Sequence, residues 1–535
     1  HGRVNESNAH PHCDSTDRVH VVVNGIVENY LALKDRLSDM GAVFTSETDA
    51  EVIAHLVSHH LAQGSLVGAV RAAYAELDGH FAFVAMRFDE PDVLVGARKE
   101  CPLVVGLGEG ESFIASAIPA FLTETRRVQL VQDGEIVAIT GDGSRFLSPD
   151  GAELRREVDE VDWDDDAAEK AGFETFMLKE IHEQADAVAE TIADRTLRRD
   201  GVDLGEAQFD EALLHDVDRI LILAAGTSFH AGLIGRYAIE EWARLPVEMD
   251  IASEWRYRNP IVSQRELVIG ITQSGETADT LAAMRLARER GAKVLAVTNV
   301  VGSQATRDAD GVLYTRAGLE ISVAATKTFV CQVAVMYLLA LRLAELRGTL
   351  ERHRRAELVA EIKQLPHHIA ELLQDLDETI REAAERHAGS DFYLYLGRHV
   401  GRAVALEGAL KLKEISYIAT DAYAGGEMKH GPIALLDEST PVVCVATEMP
   451  VLEKMISNMQ EVRARGAHVI AVATRGDERR IAAHAEEVIC VPRTDWMLQA
   501  LLAVIPLQLF AYRVARRRGL NVDQPRNLAK TVTVE

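Results

Sequence analysis

Short continuous apolar runs alternate with amphipathic helical patterns through the second half of the chain. Residues 219–243 form a buried-strand pattern, a Gly-Thr-Ser turn and a helix pattern, and residues 266–300 repeat strand, helix and strand. Residues 391–416 again give a strand, a glycine turn and a long helix. Strands that are apolar on both faces are typical of parallel sheets covered by helices. The pattern predicts two parallel-sheet α/β domains, over residues 215–350 and 380–521.

The first part of the chain has a mixed pattern of strands and helices. A β-branched run at 19–27 contains Asn24-Gly25, which predicts a strand that enters a turn there. Residues 51–62 have helical periodicity, and residues 80–88 and 93–99 are predicted to be paired strands.

An acidic stretch at 157–172 is predicted to be a solvated connector between domains. The N-terminal domain is therefore placed at 1–157, and a linker with helices at 158–214. The last segment, 522–535, is polar and irregular, as expected of a tail that covers something.

Length and composition narrow the functional class. The 535 residues are too many for one core, and 47% apolar with 26% charged residues is typical of a soluble globular protein. The net charge of −26 disfavours nucleic acid as a partner but permits local phosphate sites. No signal peptide or membrane span is predicted, and the five cysteines contain no C-x-x-C pair. Reduced thiols and a cytoplasmic location are expected.

No metal or cofactor is predicted. His55 and His59 have the i,i+4 spacing of metal ligands, but without a third ligand an ordinary helix surface is favoured. The glycines at 106–112 lack the spacing of a dinucleotide motif, and no P-loop sequence occurs.

A hydroxyl-rich segment is the strongest local signal. Residues 272–277, Thr-Gln-Ser-Gly-Glu-Thr, follow an apolar strand and begin a helix, where N–H groups and the helix dipole favour an anion. Gly226, Thr227 and Ser228 follow the preceding predicted strand. The alternative for each segment is simple N-capping. Two such segments at adjacent strand ends favour phosphate binding.

Candidate acid, base and amine groups lie toward the C-terminus. Lys411 and Glu414 are three residues apart on one helix face, His430 lies in a glycine-flanked loop, and Lys530 is in the tail. Sugar isomerisation needs groups of these types. Spacing leaves a solvated Lys–Glu salt bridge and an ordinary loop histidine as alternatives. The residues by themselves indicate a phosphosugar-binding α/β protein.

Several longer motifs run through the whole chain in one order: NGIVEN (24–29), SETDAEVIAHL (46–56), AGTS (225–228), ASEWRYR (252–258), TQSGETADTL (272–281), ALEGALKLKEISYI (405–418), GGEMKHGP (425–432) and DQPRNLAKTVTVE (523–535). Together they resemble the glutamine–fructose-6-phosphate amidotransferases, the glucosamine-6-phosphate synthase family. The resemblance implies a partial N-terminal-nucleophile glutaminase of the αββα type, class II, followed by two SIS domains, each a doubly wound parallel sheet. It also implies a homodimer that converts fructose 6-phosphate to glucosamine 6-phosphate with ammonia from L-glutamine.

The resemblance assigns roles residue by residue. Glu414 would move the proton between C1 and C2 with support from Lys411, Lys530 would form a Schiff base, and His430 of a neighbouring subunit would assist ring opening. The sugar-phosphate site would consist of Ser228, Thr272, Gln273, Ser274, Thr277 and Val323. The glutamine site would contain His1, Gly2, Asn24, Gly25 and Asp49, with Asn24 and Gly25 as the oxyanion hole.

The sequence departs from the family pattern at three places. The family's glutaminase uses an N-terminal cysteine and this sequence begins at His1, so only the isomerase half is expected to work. Cys13 is not expected to replace that nucleophile, because it has no free α-amino group to act as base. Ala225 and Ala325 stand where the family commonly has Cys and Ser, and neither change removes an acid–base group.

Two other functions remain open from the sequence. A SIS-domain deglycase or deaminase would share the phosphate loop but lack the glutaminase motifs. A non-catalytic sugar-phosphate sensor would not need Glu414, His430 and Lys530 together.

Overall fold

The structure is a computed structural model that describes residues 2–3, 5–61, 64–161, 170–207, 209 and 211–532. The backbone forms two compact units, residues 1–169 with 532–535 and residues 170–531. The division falls inside the acidic stretch that the sequence predicts to be a connector.

The first unit is built on antiparallel strands. Its helices are α1 (Tyr30–Asp39), α2 (Glu51–Leu61) and α3 (Leu66–Glu76). Its strands are β1 (His12–Cys13), β2 (Val19–Val27), β3 (Gly79–Arg87), β4 (Glu90–Lys99), β5 (Val104–Leu107), β6 (Ser112–Ala115), β7 (Arg127–Leu130), β8 (Ile136–Thr140), β9 (Gly143–Leu147), β10 (Glu153–Leu154) and β11 (Asp159–Glu160). One sheet has the order β1-β2-β3-β4-β8-β9-β10 and the other β11-β7-β5-β6.

Alternation along β3 explains the layering of this unit. Phe81 and Phe83 are buried in a core shared with the three helices. Ala82 faces the opposite side, in a core shared with Val105 of the second sheet. Successive strand residues point to opposite faces, so one strand serves both layers. The predicted pairing of 80–88 with 93–99 and the helix over 51–62 are confirmed by β3, β4 and α2.

Two local predictions in this unit are wrong. β2 does not turn at Asn24-Gly25 but continues to Val27, because it pairs with β3 and places Gly25 opposite Phe81. Gly25 has φ +121°, and a Cβ there would lie 2.2 Å from the His80 carbonyl oxygen. His55 is not on a helix surface: it is buried, and its ring lies 4.3 Å from that of Phe44, centroid to centroid.

The second unit contains two parallel α/β sheets. The elements of its first half are α4 (Phe176–His182), α5 (Gln184–Ile192), α6 (Glu211–Asp216), β12 (Arg219–Ala224), α7 (Gly226–Ala238), β13 (Val247–Ile251), α8 (Ala252–Tyr257), β14 (Glu266–Thr272), α9 (Ala278–Glu289), β15 (Lys293–Thr298), α10 (Gln304–Asp308), β16 (Gly311–Tyr314) and α11 (Lys327–Arg347). The sheet has the order β13-β12-β14-β15-β16 with parallel pairing throughout.

The second half repeats this arrangement. Its elements are α12 (Arg352–Asp375), α13 (Asp377–His387), β17 (Phe392–Gly397), α14 (Val400–Ser416), β18 (Ala419–Ala424), β19 (Pro441–Ala446), α15 (Leu452–Arg463), β20 (His468–Thr474), α16 (Glu478–Ala482), β21 (Glu487–Val491) and α17 (Gln499–Arg517). The second sheet has the order β18-β17-β19-β20-β21, so its five strands follow the same order as the five strands of the first parallel sheet. The predicted α/β class with two doubly wound parallel sheets is therefore confirmed.

Helix α11 passes through the centre of the second unit. By length and composition it could span a membrane, which corrects the expectation that no apolar segment is long enough, but 83% of its apolar window is buried within the protein. Its side chains join a core that continues into α14 and α17. Burial on all sides explains why a helix of a globular core is apolar around its circumference.

Candidate functional site

The hydroxyl-rich loop lies between β14 and α9, at the carboxyl edge of the first parallel sheet. The Thr272 hydroxyl accepts a hydrogen bond from the Gly275 N–H at 3.2 Å, and its oxygen lies 2.9 Å from that of Thr277. Gly275 has φ +68°, and a Cβ there would lie 2.0 Å from the Ser303 hydroxyl oxygen. The tight turn therefore requires glycine at this position.

Neither helix that begins at this edge has a side-chain cap among the described residues. Thr277, the N-cap residue of α9, makes no capping hydrogen bond, and α7 begins after Ala225, which has no side-chain acceptor. β12 and β14 are paired neighbours, so the two N-termini lie at adjacent strand ends. Simple N-capping therefore does not account for these two segments, and the N–H groups of the two first turns can donate hydrogen bonds to an anion.

The first turn of α7 differs from the sequence prediction. Gly226, Thr227 and Ser228 are not a turn before the helix but its first residues. The Ser228 hydroxyl accepts a hydrogen bond from Gln332 Nε2 of α11 at 3.0 Å.

Lys411 is fully buried on α14 between two carboxylates. Its Nζ lies 2.6 Å from Glu414 Oε2 and 3.4 Å from Glu407 Oε1, and it donates to the Thr227 hydroxyl at 3.0 Å. Burial by itself would lower the pKa of Lys411, but Glu414 and Glu407 outweigh it and raise that pKa well above its usual range. The alternative of a solvated Lys411–Glu414 salt bridge is therefore wrong, because the Lys411 side chain is 0% exposed and that of Glu414 is 22% exposed.

Lys411, Glu407 and Glu414 form a buried ion group, and Glu407 connects it to α7, which follows β12 of the first sheet. Its Oε1 accepts a hydrogen bond from the Thr227 hydroxyl at 3.1 Å, and its Oε2 lies 2.7 Å from His230 Nδ1, both on α7. Sequence reasoning missed Glu407, although its spacing of four residues before Lys411 places both on one face of α14. Glu414 is the outermost member, with 22% of its side chain exposed.

The C-terminal tail brings Lys530 to the loop before α11. Lys530 Nζ donates to Glu320 Oε2 at 2.6 Å and to the Ser322 carbonyl oxygen at 2.8 Å. The Val323 N–H donates to the Asp523 carbonyl oxygen at 3.0 Å. The Asp523 carboxylate in turn accepts the first N–H groups of α4, from Phe176 and Met177, at 3.0 and 2.9 Å. The negative charge of Asp523 lies at the N-terminus of α4, where the helix dipole favours it, and this contact holds the tail in place.

His430 is exposed on a short 3₁₀ turn, Glu427–His430. Its predicted role in a neighbouring subunit stays a prediction.

Residues predicted for the glutamine site lie in the first unit. Asn24 Nδ2 donates to the Ser116 hydroxyl at 3.3 Å, and the buried Asp49 carboxylate accepts the Val27 N–H at 2.7 Å. Gly2 is exposed, with φ +89°, and His1 lies outside the described residues. The roles of these residues stay predictions.

Cys13 is a half-buried free thiol in β1. Burial, followed by the charge of Asp17, raises the pKa of Cys13, so the thiol stays protonated near neutral pH. The expectation that Cys13 is not a nucleophile stays a prediction.

Two family models match the chain. The SIS domain matches residues 213–342 and 393–516, and a glutamine amidotransferase domain matches residues 3–123. A glutamine–fructose-6-phosphate aminotransferase (isomerizing) from Clostridium tetani is 47% identical over 536 residues, covering 100% of this chain and 88% of the relative. The chain belongs to the isomerizing glutamine–fructose-6-phosphate aminotransferase family.

Solved structures agree with this membership. The C-terminal domain of glucosamine-fructose-6-phosphate aminotransferase from Francisella tularensis has a TM-score of 0.64 and 37% identity, and the match covers 66% of this chain and 100% of that one. A glucosamine-6-phosphate deaminase from Thermotoga maritima has a TM-score of 0.53 at 23% identity, over 67% of this chain and 99% of that one. At that identity the second likeness shows the shared fold alone.

One side-chain cluster of this aminotransferase-family chain lies outside the motifs. His387, His468 and Glu487 offer ligand atoms within 4.8 Å of one another, a grouping that the sequence reasoning about metals did not consider. Glu487 Oε1 lies 2.9 Å from His387 Nε2, 3.3 Å from His468 Nε2 and 3.3 Å from Arg386 Nε. A guanidinium at that distance compensates the carboxylate and opposes a bound cation, so the geometry is that of an ion-pair cluster.

Proposed function

We propose that the polypeptide converts fructose 6-phosphate into glucosamine 6-phosphate with ammonia derived from glutamine. The proposal is supported by one observation. The first turn of α7 is one of the two uncapped helix N-termini that can bind an anion, and it also contacts the buried ion group of α14. Ser228 lies in the uncapped first turn of α7, while the preceding residue, Thr227, contacts both Glu407 and Lys411. A phosphate held at this edge would place the rest of the sugar toward α14.

Each residue has a defined step in the proposed reaction. The phosphate binds at residues 272–277, and His430 from a second copy moves a proton at the ring oxygen so that the ring opens. The Lys530 amine attacks the C2 carbonyl, forming a C–N bond while the oxygen leaves as water. Ammonia then displaces the lysine, and Glu414 carries a proton from C1 to C2, which leaves an aldose with an amine at C2.

Lys411 is proposed to hold Glu414 in place. The 2.6 Å contact between Lys411 Nζ and Glu414 Oε2 fixes the position of the carboxylate on the face of α14 that carries Lys411.

Partners and compartment belong to the same proposal. We infer a homodimer, because His430 is exposed in a single copy and would act only on a neighbouring site. A net charge of −26 disfavours nucleic acid, and the burial of α11 disfavours a membrane role. The free thiols Cys13, Cys101, Cys331, Cys444 and Cys490 are in keeping with a reducing cytoplasm. Light scattering should give twice the chain mass of 58.7 kDa.

The deciding experiment compares Glu414→Gln with the wild type. With fructose 6-phosphate, the wild type should produce glucose 6-phosphate, and with added ammonium it should produce glucosamine 6-phosphate. A parallel incubation with glutamine reports on the amidotransferase domain separately. Loss of the base should lower the isomerisation rate about 10²–10⁴-fold and leave sugar-phosphate binding intact.

Glu382→Gln is the matched control, since Glu382 is exposed on α13. Unchanged turnover in Glu414→Gln would refute the assignment of the base. Binding of fructose 6-phosphate without any product in the wild type would favour the sensor function instead.

A further inference from the structure

Glu180 of α4 is buried against the loop of residues 320–323, with 2% of its surface exposed. Its Oε1 accepts hydrogen bonds from the Ile321 and Ser322 N–H groups at 2.5 and 3.1 Å. Its Oε2 contacts the Ser322 hydroxyl. A single carboxyl group therefore fixes two consecutive peptide units of this loop.

The same loop holds the amine of Lys530. Ser322 supplies the carbonyl oxygen that accepts from Lys530 Nζ at 2.8 Å, and Glu320 supplies the carboxylate oxygen at 2.6 Å. Glu180 thus lies directly behind the peptide that orients the amine. Displacement of this peptide would move both partners of Lys530.

The two buried carboxyl groups differ in protonation. Burial and the charge of Glu320 raise the pKa of Glu180 to about 7. Burial opposes ionisation of Glu320 as well, but the adjacent Lys530 ammonium lowers the pKa of Glu320 below its usual value. Below neutral pH, Lys530 therefore faces one charged carboxylate and one neutral acid.

The hydrogen bonds around Ser322 suit a neutral Glu180. The Ser322 hydroxyl can donate its one proton either to Glu180 Oε2 or to the Ala324 carbonyl oxygen, 3.2 Å away. When it donates to Ala324, a protonated Glu180 can donate to the Ser322 oxygen. Lys179, next to Glu180 in the sequence, and Lys327 both pair with Glu183, at 3.5 and 2.7 Å.

We propose that Glu180 is a positioning residue for Lys530: as a neutral acid it holds the 320–322 peptides in place and leaves Glu320 as the single countercharge of the amine. This inference rests on the proposed Schiff-base role of Lys530. When Glu180 ionises, a second negative charge stabilises the Lys530 ammonium and disfavours the free amine that attacks the sugar.

The test uses Glu180→Gln and Glu180→Ala in the full chain, with isomerisation of fructose 6-phosphate measured from pH 6 to pH 8.5. Glutamine keeps an acceptor for the two N–H groups and a donor for Ser322 Oγ but cannot ionise. Near pH 6 its kcat should be within about 3-fold of the wild type. The ratio of its kcat to that of the wild type should rise through pH 7. KM should change little, because the phosphate loop is not altered.

Glu180→Ala removes the hydrogen bonds to the Ile321 and Ser322 N–H groups at every pH. Its kcat should fall about 10²-fold, the size of effect expected when a catalytic group is misplaced by roughly 1 Å. Borohydride reduction in the presence of fructose 6-phosphate, followed by peptide mapping, should give much less sugar adduct on Lys530 than in the wild type. Glu487→Ala, which removes a different buried carboxylate, is the control, and it should give as much sugar adduct on Lys530 as the wild type.

The outcomes separate this inference from the proposed function. No Lys530 adduct in the wild type would overturn the Schiff-base role and the inference together. An adduct in the wild type, with a kcat ratio for Glu180→Gln that is constant with pH, would overturn the inference alone. This comparison holds even if Glu180→Ala does not fold, because it uses the conservative variant.

Discussion

Replacement of Lys411 by methionine tests the buried ion group directly. Methionine has a similar length but no charge, so Glu407 loses its cation inside a site where its side chain is 0% exposed. Glu414 loses its partner as well, but it is partly exposed and water can compensate it. The main cost is therefore expected at Glu407.

The magnitude follows from the burial of the pair. Removing one partner of a buried ion pair costs about 3–5 kcal/mol, because the other charge stays desolvated. At about 2 °C per kcal/mol for a large domain, the melting temperature should fall by roughly 6–10 °C. Isomerisation should be lost as well, since Glu414 is no longer held.

A double variant separates stability from catalysis. In Lys411→Met with Glu407→Gln, the uncompensated charge is gone, and the amide can still bond to Thr227 and His230. The melting temperature should recover most of its loss while the isomerisation activity stays low.

Differential scanning calorimetry and the glucose 6-phosphate assay give both readouts. Lys413→Met is the matched control, because Lys413 is exposed on the same helix. A single variant as stable as the wild type, or a double variant as unstable as the single one, would refute the reasoning about buried charge.

Three further predictions concern the loop, the tail and the buried acid. Thr272→Val removes the hydroxyl bonded to the Gly275 N–H and should raise KM for fructose 6-phosphate about 10-fold, with kcat little changed, in steady-state kinetics. Asp523→Ala removes the acceptor at the start of α4, so it should cost about 1 kcal/mol in denaturant unfolding and reduce borohydride trapping at Lys530. Glu180 has a pKa raised from 4.5 to about 7, so wild-type stability relative to Glu180→Gln should fall as pH rises from about 4.5 to 7, by up to about 3 kcal/mol; equal differences in melting temperature at pH 5 and pH 8 would contradict this.

Strands, helices and loops that depend on neighbouring residues in the chain were predicted correctly from the sequence. The strand and helix alternation of both parallel domains depends on runs of neighbouring residues, and the predicted segments agree with β12, α7, β14, α9, β17 and α14. The loop at 272–277 was found for the same reason, since its glycine and hydroxyls are consecutive.

Local signals failed where distant pairing opposed them. Asn24-Gly25 has the composition of a turn, yet pairing with β3 keeps it extended within β2. His55 has the spacing of an exposed helix position, yet packing against Phe44 and Glu51 buries it. In both cases the energy of sheet pairing or burial exceeds a local preference.

The sequence by itself determined the fold class, the hydroxyl-rich loop at 272–277 and, through family motifs, the candidates Glu414, His430 and Lys530. Only the tertiary structure showed Glu407 and Glu180, which contact residues 180 and 142 positions away, Thr227 and Ser322. Such contacts depend on sheet order and helix packing, which spacing along the chain does not specify. Burial is likewise a property of the folded protein, and it decides whether a lysine and a glutamate form a solvated pair or a tightly coupled ion group.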